Sequence, residues 1–166
     1  EASWRDMAYL AAVPAASHLS DREPAALGLP ASGKVGREVS DYLSRYRPTR
    51  SCALALKAGA SAPEGIKWEV LQCDSADAAA AQLATKCWDS SSRAVVCVED
   101  DYAAALLASS LAALLDCPLL YCGERKISRE TSEALRKLGA KSVLTVGDVP
   151  RRALGWGQRP TPIADV

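Results

Sequence analysis

His18 is the chain's one histidine, so any Ser–His or Cys–His mechanism would have to run through it. It stands at the end of an alanine-rich helical stretch, just before Asp21. A helix-end histidine is favoured there by the helix dipole alone, without any catalytic task. Ser90, Ser91 and Ser92 precede a strand and lack the GxSxG pattern of a nucleophile elbow. Neither GxGxxG nor the GxxxxGK phosphate loop occurs, and Gly59 and Gly65 fit neither spacing. The six cysteines include no CxxC pair, so with a single histidine no metal set is assigned. No catalytic residue and no cofactor are expected on these grounds.

Two charged groupings remain. Glu99, Asp100, Asp101 and Tyr102 follow an apolar run, and Gly123-Glu124 and Gly147-Asp148 close two similar runs. If all three runs are parallel strands, these residues share the carboxyl rim where open α/β sheets bind ligands. Asp100, Asp101, Tyr102, Gly123, Glu124, Gly147 and Asp148 are therefore the ligand-binding candidates. The competing account is that the acids simply cap the helix that follows. Arg45, Arg47 and Arg50, with Arg151 and Arg152, form two short basic patches suited to an anionic polymer, or a solvated face.

The elements that must position these groups are legible from periodicity and punctuation. Arg93–Val98 is β-branched and apolar, as a buried strand requires. Tyr102 to Leu115 is an alanine- and leucine-rich helix predicted to be well buried. Leu119–Cys122 is the next strand, Ser128 caps an amphipathic helix ended by Gly139, and Ser142–Val146 is a third strand. Upstream, strands are predicted at Pro24 to Leu29, Ser51 to Leu56 and Trp68 to Leu71. Helices are predicted at Asp6 to His18, Val35 to Tyr46 and, behind an Asp74 cap, Ala76 to Cys87. Lys57 to Ile66 and Pro150 to Pro162, rich in Gly and Pro, read as loops. Strand–helix alternation of this kind predicts a three-layer α/β fold, a mostly parallel sheet with helices on both faces.

Bulk properties bound the function. The 166 residues suit one domain, with 49% hydrophobic residues, no Phe and much alanine, which predicts a thin, close-packed core. Twenty basic and twenty acidic residues give zero net charge, with no basic run for nucleic acid. No apolar stretch reaches the ~20 residues of a membrane span. Cys52, Cys97 and Cys122 fall in or beside strand-like runs and are predicted to be buried thiols.

The two halves echo each other. Ala8 to Ala16 aligns with Ala104 to Ala112, Pro24 to Leu27 with Pro118 to Tyr121, Lys34 to Leu43 with Lys126 to Leu135, and the strand at Cys52 with that at Val143, at offsets of about 91 to 96 residues. Chance likeness of amphipathic helices is the alternative, and the shared order of helix, proline-led strand, helix and strand argues against it. The expectation is one α/β domain over 1–166, with repeat one at about 1–66, repeat two at about 67–150 and a tail at 151–166.

The second half resembles the type 2 cell-wall-binding repeat of bacterial surface and S-layer proteins. The matching pieces are Tyr102 to Ala112 (YAAALLASSLA), Cys117 to Leu120 (CPLL) and Leu138 to Gly147 (LGAKSVLTVG), with Gln72 to Ala79 (QCDSADAA) at a further phrase of the family. The family's helical Asp is alanine at Ala8 and Ala104, its Arg and Tyr are Ser75 and Ala76, and its final Gly-Gly is Gly147-Asp148. The resemblance implies Rossmann- or flavodoxin-like modules, an extracytoplasmic or cell-surface location, and attachment to anionic cell-wall polymer. The expected function is a non-catalytic binding or structural module of a surface protein. The alternative is a small-molecule-binding or enzymatic Rossmann-like domain with its ligand at the strands' carboxyl ends. Self-association through exposed repeat faces is a third expectation.

Overall fold

The computed structural model describes residues 3–19, 36–47, 52–54, 69–149 and 161–162. Along them run α1 (Trp4–Leu19), α2 (Arg37–Tyr46), β1 (Cys52–Leu54), β2 (Glu69–Leu71), α3 (Ala76–Cys87), β3 (Arg93–Val98), α4 (Tyr102–Leu114), β4 (Leu119–Cys122), α5 (Arg129–Leu138), β5 (Ser142–Val146) and β6 (Thr161–Pro162). The chain divides into two compact units, Leu27–Asp74 and Glu1–Ala26 with Ser75–Val166. Every pairing is parallel: β1 with β2 in the smaller unit, and the order β4-β3-β5-β6 in the larger. This is a mixed α/β architecture of the Rossmann or flavodoxin-like kind.

In the larger unit β3 lies between β4 and β5. Ala94, Val95, Val96 and Cys97 have no exposed surface, as a strand covered on both faces should. The chain moves outward from β3 to β4, then returns past β3 to β5. Right-handed crossovers therefore place α4 and α5 on opposite faces of the sheet. Alanines let the helices approach closely: Ala79, Ala80, Ala105, Ala108 and Ala112 are fully enclosed, where α1 packs on α3 and α4, and α3 on α5.

Three buried hydroxyls fasten this assembly. Tyr121 Oη donates to the Met7 carbonyl at 2.7 Å, tying β4 to α1. Thr131 Oγ1 donates to the Tyr121 carbonyl at 2.7 Å, tying α5 to β4. Ser109 Oγ donates to the Leu10 carbonyl at 2.7 Å, tying α4 to α1. The last bond has a cause in the sequence. Pro14 lies inside α1 and has no N–H to give the carbonyl four residues back, which is Leu10. The serine supplies the missing donor from another helix.

The structure corrects several expectations. The α3 cap is Ser75, whose Oγ accepts from the Ala78 N–H, rather than Asp74. α4 is not well buried: Ala104, Ala105, Ala108 and Ala112 face inward while Leu106, Leu107 and Leu114 lie 45%, 67% and 82% exposed. Cys52 is exposed, whereas Cys97 and Cys122 are buried as expected. β6 occupies two residues of a stretch read as loop. α1 begins at Trp4 because Ser3 and Asp6 form a capping box, with Ser3 N–H and Oγ donating to Asp6 at 2.8 and 2.9 Å. Counted from the helix starts, Trp4 corresponds to Tyr102, and Asp6, not Ala8, to Ala104. The predicted strand at 24–29 lies outside the described residues.

Ser109→Ala should destabilise the chain by about 1–3 kcal/mol, because it strands a buried carbonyl. With Pro14→Ala in place the same change should cost under about 1 kcal/mol, since the helix then supplies its own donor. Chemical unfolding of the four proteins of this cycle checks the coupling, and additive effects would refute it.

Candidate functional site

The parallel register brings the carboxyl ends of β3, β4 and β5 to one rim, so Glu99 to Tyr102, Gly123-Glu124 and Gly147-Asp148 do converge. Their roles differ. Asp101 is the N-cap of α4, its Oδ1 accepting from the Ala104 N–H at 2.9 Å. Gly147 has φ +77, and a Cβ there would come within 2.9 Å of the Ala104 Cβ and 3.4 Å of Asp101 Oδ2. Only glycine lets β5 end this close to the α4 cap. Asp100, Tyr102, Glu124 and Asp148 are exposed.

At this rim Glu99 feels the charge of Asp77, a residue that local sequence pattern marks only as part of a helix start. Asp77 Oδ1 accepts from Ser75 Oγ at 2.6 Å and from the Ala78 N–H at 2.9 Å. Burial works against its charge, but these bonds, with a further one from Ser128, hold its carboxyl below the usual range. Ser128 is itself the N-cap of α5, so Asp77 joins the starts of α3 and α5. Glu99 is pushed upward by burial first, then by the charges of Asp77 and Asp100. Its Oε1 lies 3.9 Å from where a Gly123 Cβ would stand. The helix dipoles of this rim are thus already met by the protein's own acids and serines. The remaining exposed acids would repel an anionic polymer.

His18 lies elsewhere, at the far end of α1. Its Nδ1 is 2.7 Å from Asp116 Oδ1, and its ring stacks on Trp88 at a centroid distance of 4.6 Å. It thereby joins the ends of α1, α3 and α4. Neighbouring Cys117 is pushed up to about 11, by burial above all, and Cys122 likewise to about 11. Both are protonated thiols at neutral pH and poor nucleophiles. Among the described residues no group of three or more His, Cys, Asp or Glu is placed to hold a metal ion, and no helix is long and apolar enough to cross a membrane.

Arg45 and Arg47 are exposed in the last turn and C-cap of α2. Arg47 adopts φ 47, ψ 64, the left-handed conformation, and its backbone N–H donates to the Leu43 carbonyl. At the matching end of α5 the left-handed residue is Gly139. Arg50, Arg151 and Arg152 lie outside the described residues.

No family model and no solved structure matches this chain. It is similar to the N-acetylmuramoyl-L-alanine amidase LytC of Bacillus subtilis (strain 168), 35% identical over 71 residues. That segment is 43% of this chain and spans 14% of the amidase. The likeness is therefore to part of a cell-wall enzyme.

The two carboxylates should act on stability with opposite signs. Asp77 is held low, so its contribution is present above the ordinary carboxylate range and is lost as pH falls through its depressed value. Glu99 is held high, so its ionised form costs stability, and that cost shrinks as pH falls below its raised value and is gone below the ordinary carboxylate range. Glu99→Gln should therefore raise the Tm at about pH 7 and converge on the parent in acid, while Asp77→Asn should lower it and converge only in stronger acid. Thermal unfolding across pH checks both, and shifts of like sign would refute the assignment.

Proposed function

We propose that this chain is a non-catalytic module of a bacterial surface protein that attaches to anionic cell-wall polymer, with Arg45 and Arg47 on α2 as its described contacts. The observation that carries the reading is Arg47. A left-handed backbone costs a non-glycine residue roughly 1–2 kcal/mol, and the matching position of α5 is glycine. An exposed cation kept at such a cost points to a task for its side chain. The likeness to a cell-wall amidase gives that task a setting. The guanidinium fork suits phosphate or carboxylate bound in pairs. The carboxyl rim, with Asp101 and Asp77 engaged as caps, offers an anionic polymer nothing. Arg50, Arg151 and Arg152 extend the same proposal to both basic patches.

Arg47→Gly separates binding from folding. It should raise stability by about 1 kcal/mol, by relieving the left-handed strain, and still weaken retention on purified cell walls. Arg45→Gln should weaken retention with little effect on stability. Sedimentation with cell walls and thermal unfolding measure the two effects. Undiminished retention by the Arg47→Gly protein would remove α2 from the binding face.

A further inference from the structure

The helices α2 and α5 share more than amphipathic character. Their N-caps, Gly36 and Ser128, have the same backbone angles, φ −66 and ψ 162. Both helices are 10 residues long and end in a left-handed residue, Arg47 or Gly139. Each carries an ion pair one turn apart, Arg37 with Asp41 at 3.9 Å and Arg129 with Glu133 at 2.8 Å. Each counterpart lies 92 residues further on, from 36 to 128 and from 47 to 139.

The strands that follow keep the same displacement. β1 pairs in parallel with β2, Cys52 opposite Glu69 and Ala53 opposite Val70. β5 pairs in parallel with β6, Leu144 opposite Thr161 and Thr145 opposite Pro162. In both pairs the partners are 17 residues apart in sequence, from 52 to 69 and from 144 to 161. Moreover β2, which leads by a short turn into α3, pairs with β1 behind it, in a sheet separate from that of β3.

We propose that the outer edges of β1 and β5 are two occurrences of one strand-acceptor site, each filled by a short parallel strand that the chain supplies 17 residues further on. The partner such an edge takes is set by backbone chemistry. A strand's ladder on one side draws its N–H groups from alternate residues. Pro162 sits opposite Thr145 with no N–H to give, so the second position of the filling strand makes no donation to the acceptor edge. Val70 holds that position in β2, and Glu69, like Thr161, holds the donating one. The filling strand is therefore set by the position of its donating residue, the first of the pair, and tolerates proline at the second.

The test exploits the fact that proline within a strand ordinarily disrupts pairing. Val70→Pro makes β2 resemble β6 and should leave hydrogen exchange at the Ala53 amide, which faces the Glu69 carbonyl, within about threefold of the parent, whereas Glu69→Pro should speed it at least about tenfold. The triple change Glu69→Thr, Val70→Pro and Leu71→Ile, which copies residues 161–163 into β2, should behave like Val70→Pro. Exchange at β3 amides in the same samples reports whether the larger unit stays folded. Exchange in Val70→Pro as fast as in Glu69→Pro, or global unfolding of Val70→Pro, overturns the proposal. Parental exchange in Glu69→Pro overturns it equally.

Discussion

β4 ends the four-stranded sheet, and an uncovered strand edge is a row of backbone groups that must find partners. Tyr121 meets part of this constraint through its backbone carbonyl and ties in a helix through its side chain. Its carbonyl takes the Thr131 hydroxyl from α5, and its own hydroxyl reaches the Met7 carbonyl of α1. The side chain is wholly enclosed and its phenol is pushed upward, first by burial and then by Cys97, so it remains a donor. One residue thus holds the strand edge, the first helix and the last helix together. The alanine faces of α1, α3 and α4 depend on that closure, because small side chains contribute little unless the helices are held close.

The same economy governs polar groups at the carboxyl rim. Parallel strands deliver acids and glycines where three helices begin, and each helix start needs acceptors for its first N–H groups. Asp101, Ser75 with Asp77, and Ser128 supply them. Residues that resemble a ligand site in sequence are therefore engaged in holding the fold. The cation at α2 stands apart from this pattern, being exposed and held in a backbone conformation that glycine would occupy more easily.

Much of this was legible in the sequence, for identifiable reasons. β3, β4, β5 and α3 are bounded by the residues that periodicity and caps indicate, because each strand is a short apolar run closed by an acid or a glycine and the helix is an alanine-rich run opened by capping residues. Asp74 and Ser75 are both able to cap, and one-residue differences in reach decide between them. The burial of α4 differs from expectation because alanine and leucine count alike as apolar. Packing against α1 selects the smaller side chains for the inner face and leaves the leucines outside. β6 is two residues of a Gly- and Pro-rich stretch, too short for any period. The pairings of Asp77 with Ser128 and of His18 with Asp116 join positions far apart in sequence, where no local pattern could announce them. The acidic cluster and the Arg47 position were both visible, but their different tasks were not, since those follow from caps and backbone angles.

The account turns on whether this chain recognises anionic wall polymer through exposed cations. The most direct measurement is binding of the intact chain to purified bacterial cell walls over a salt series, alongside walls chemically stripped of their anionic polymers. The account predicts binding that falls steadily with ionic strength and is lost on the stripped walls. Binding indifferent to salt, or undiminished on the stripped walls, would contradict it.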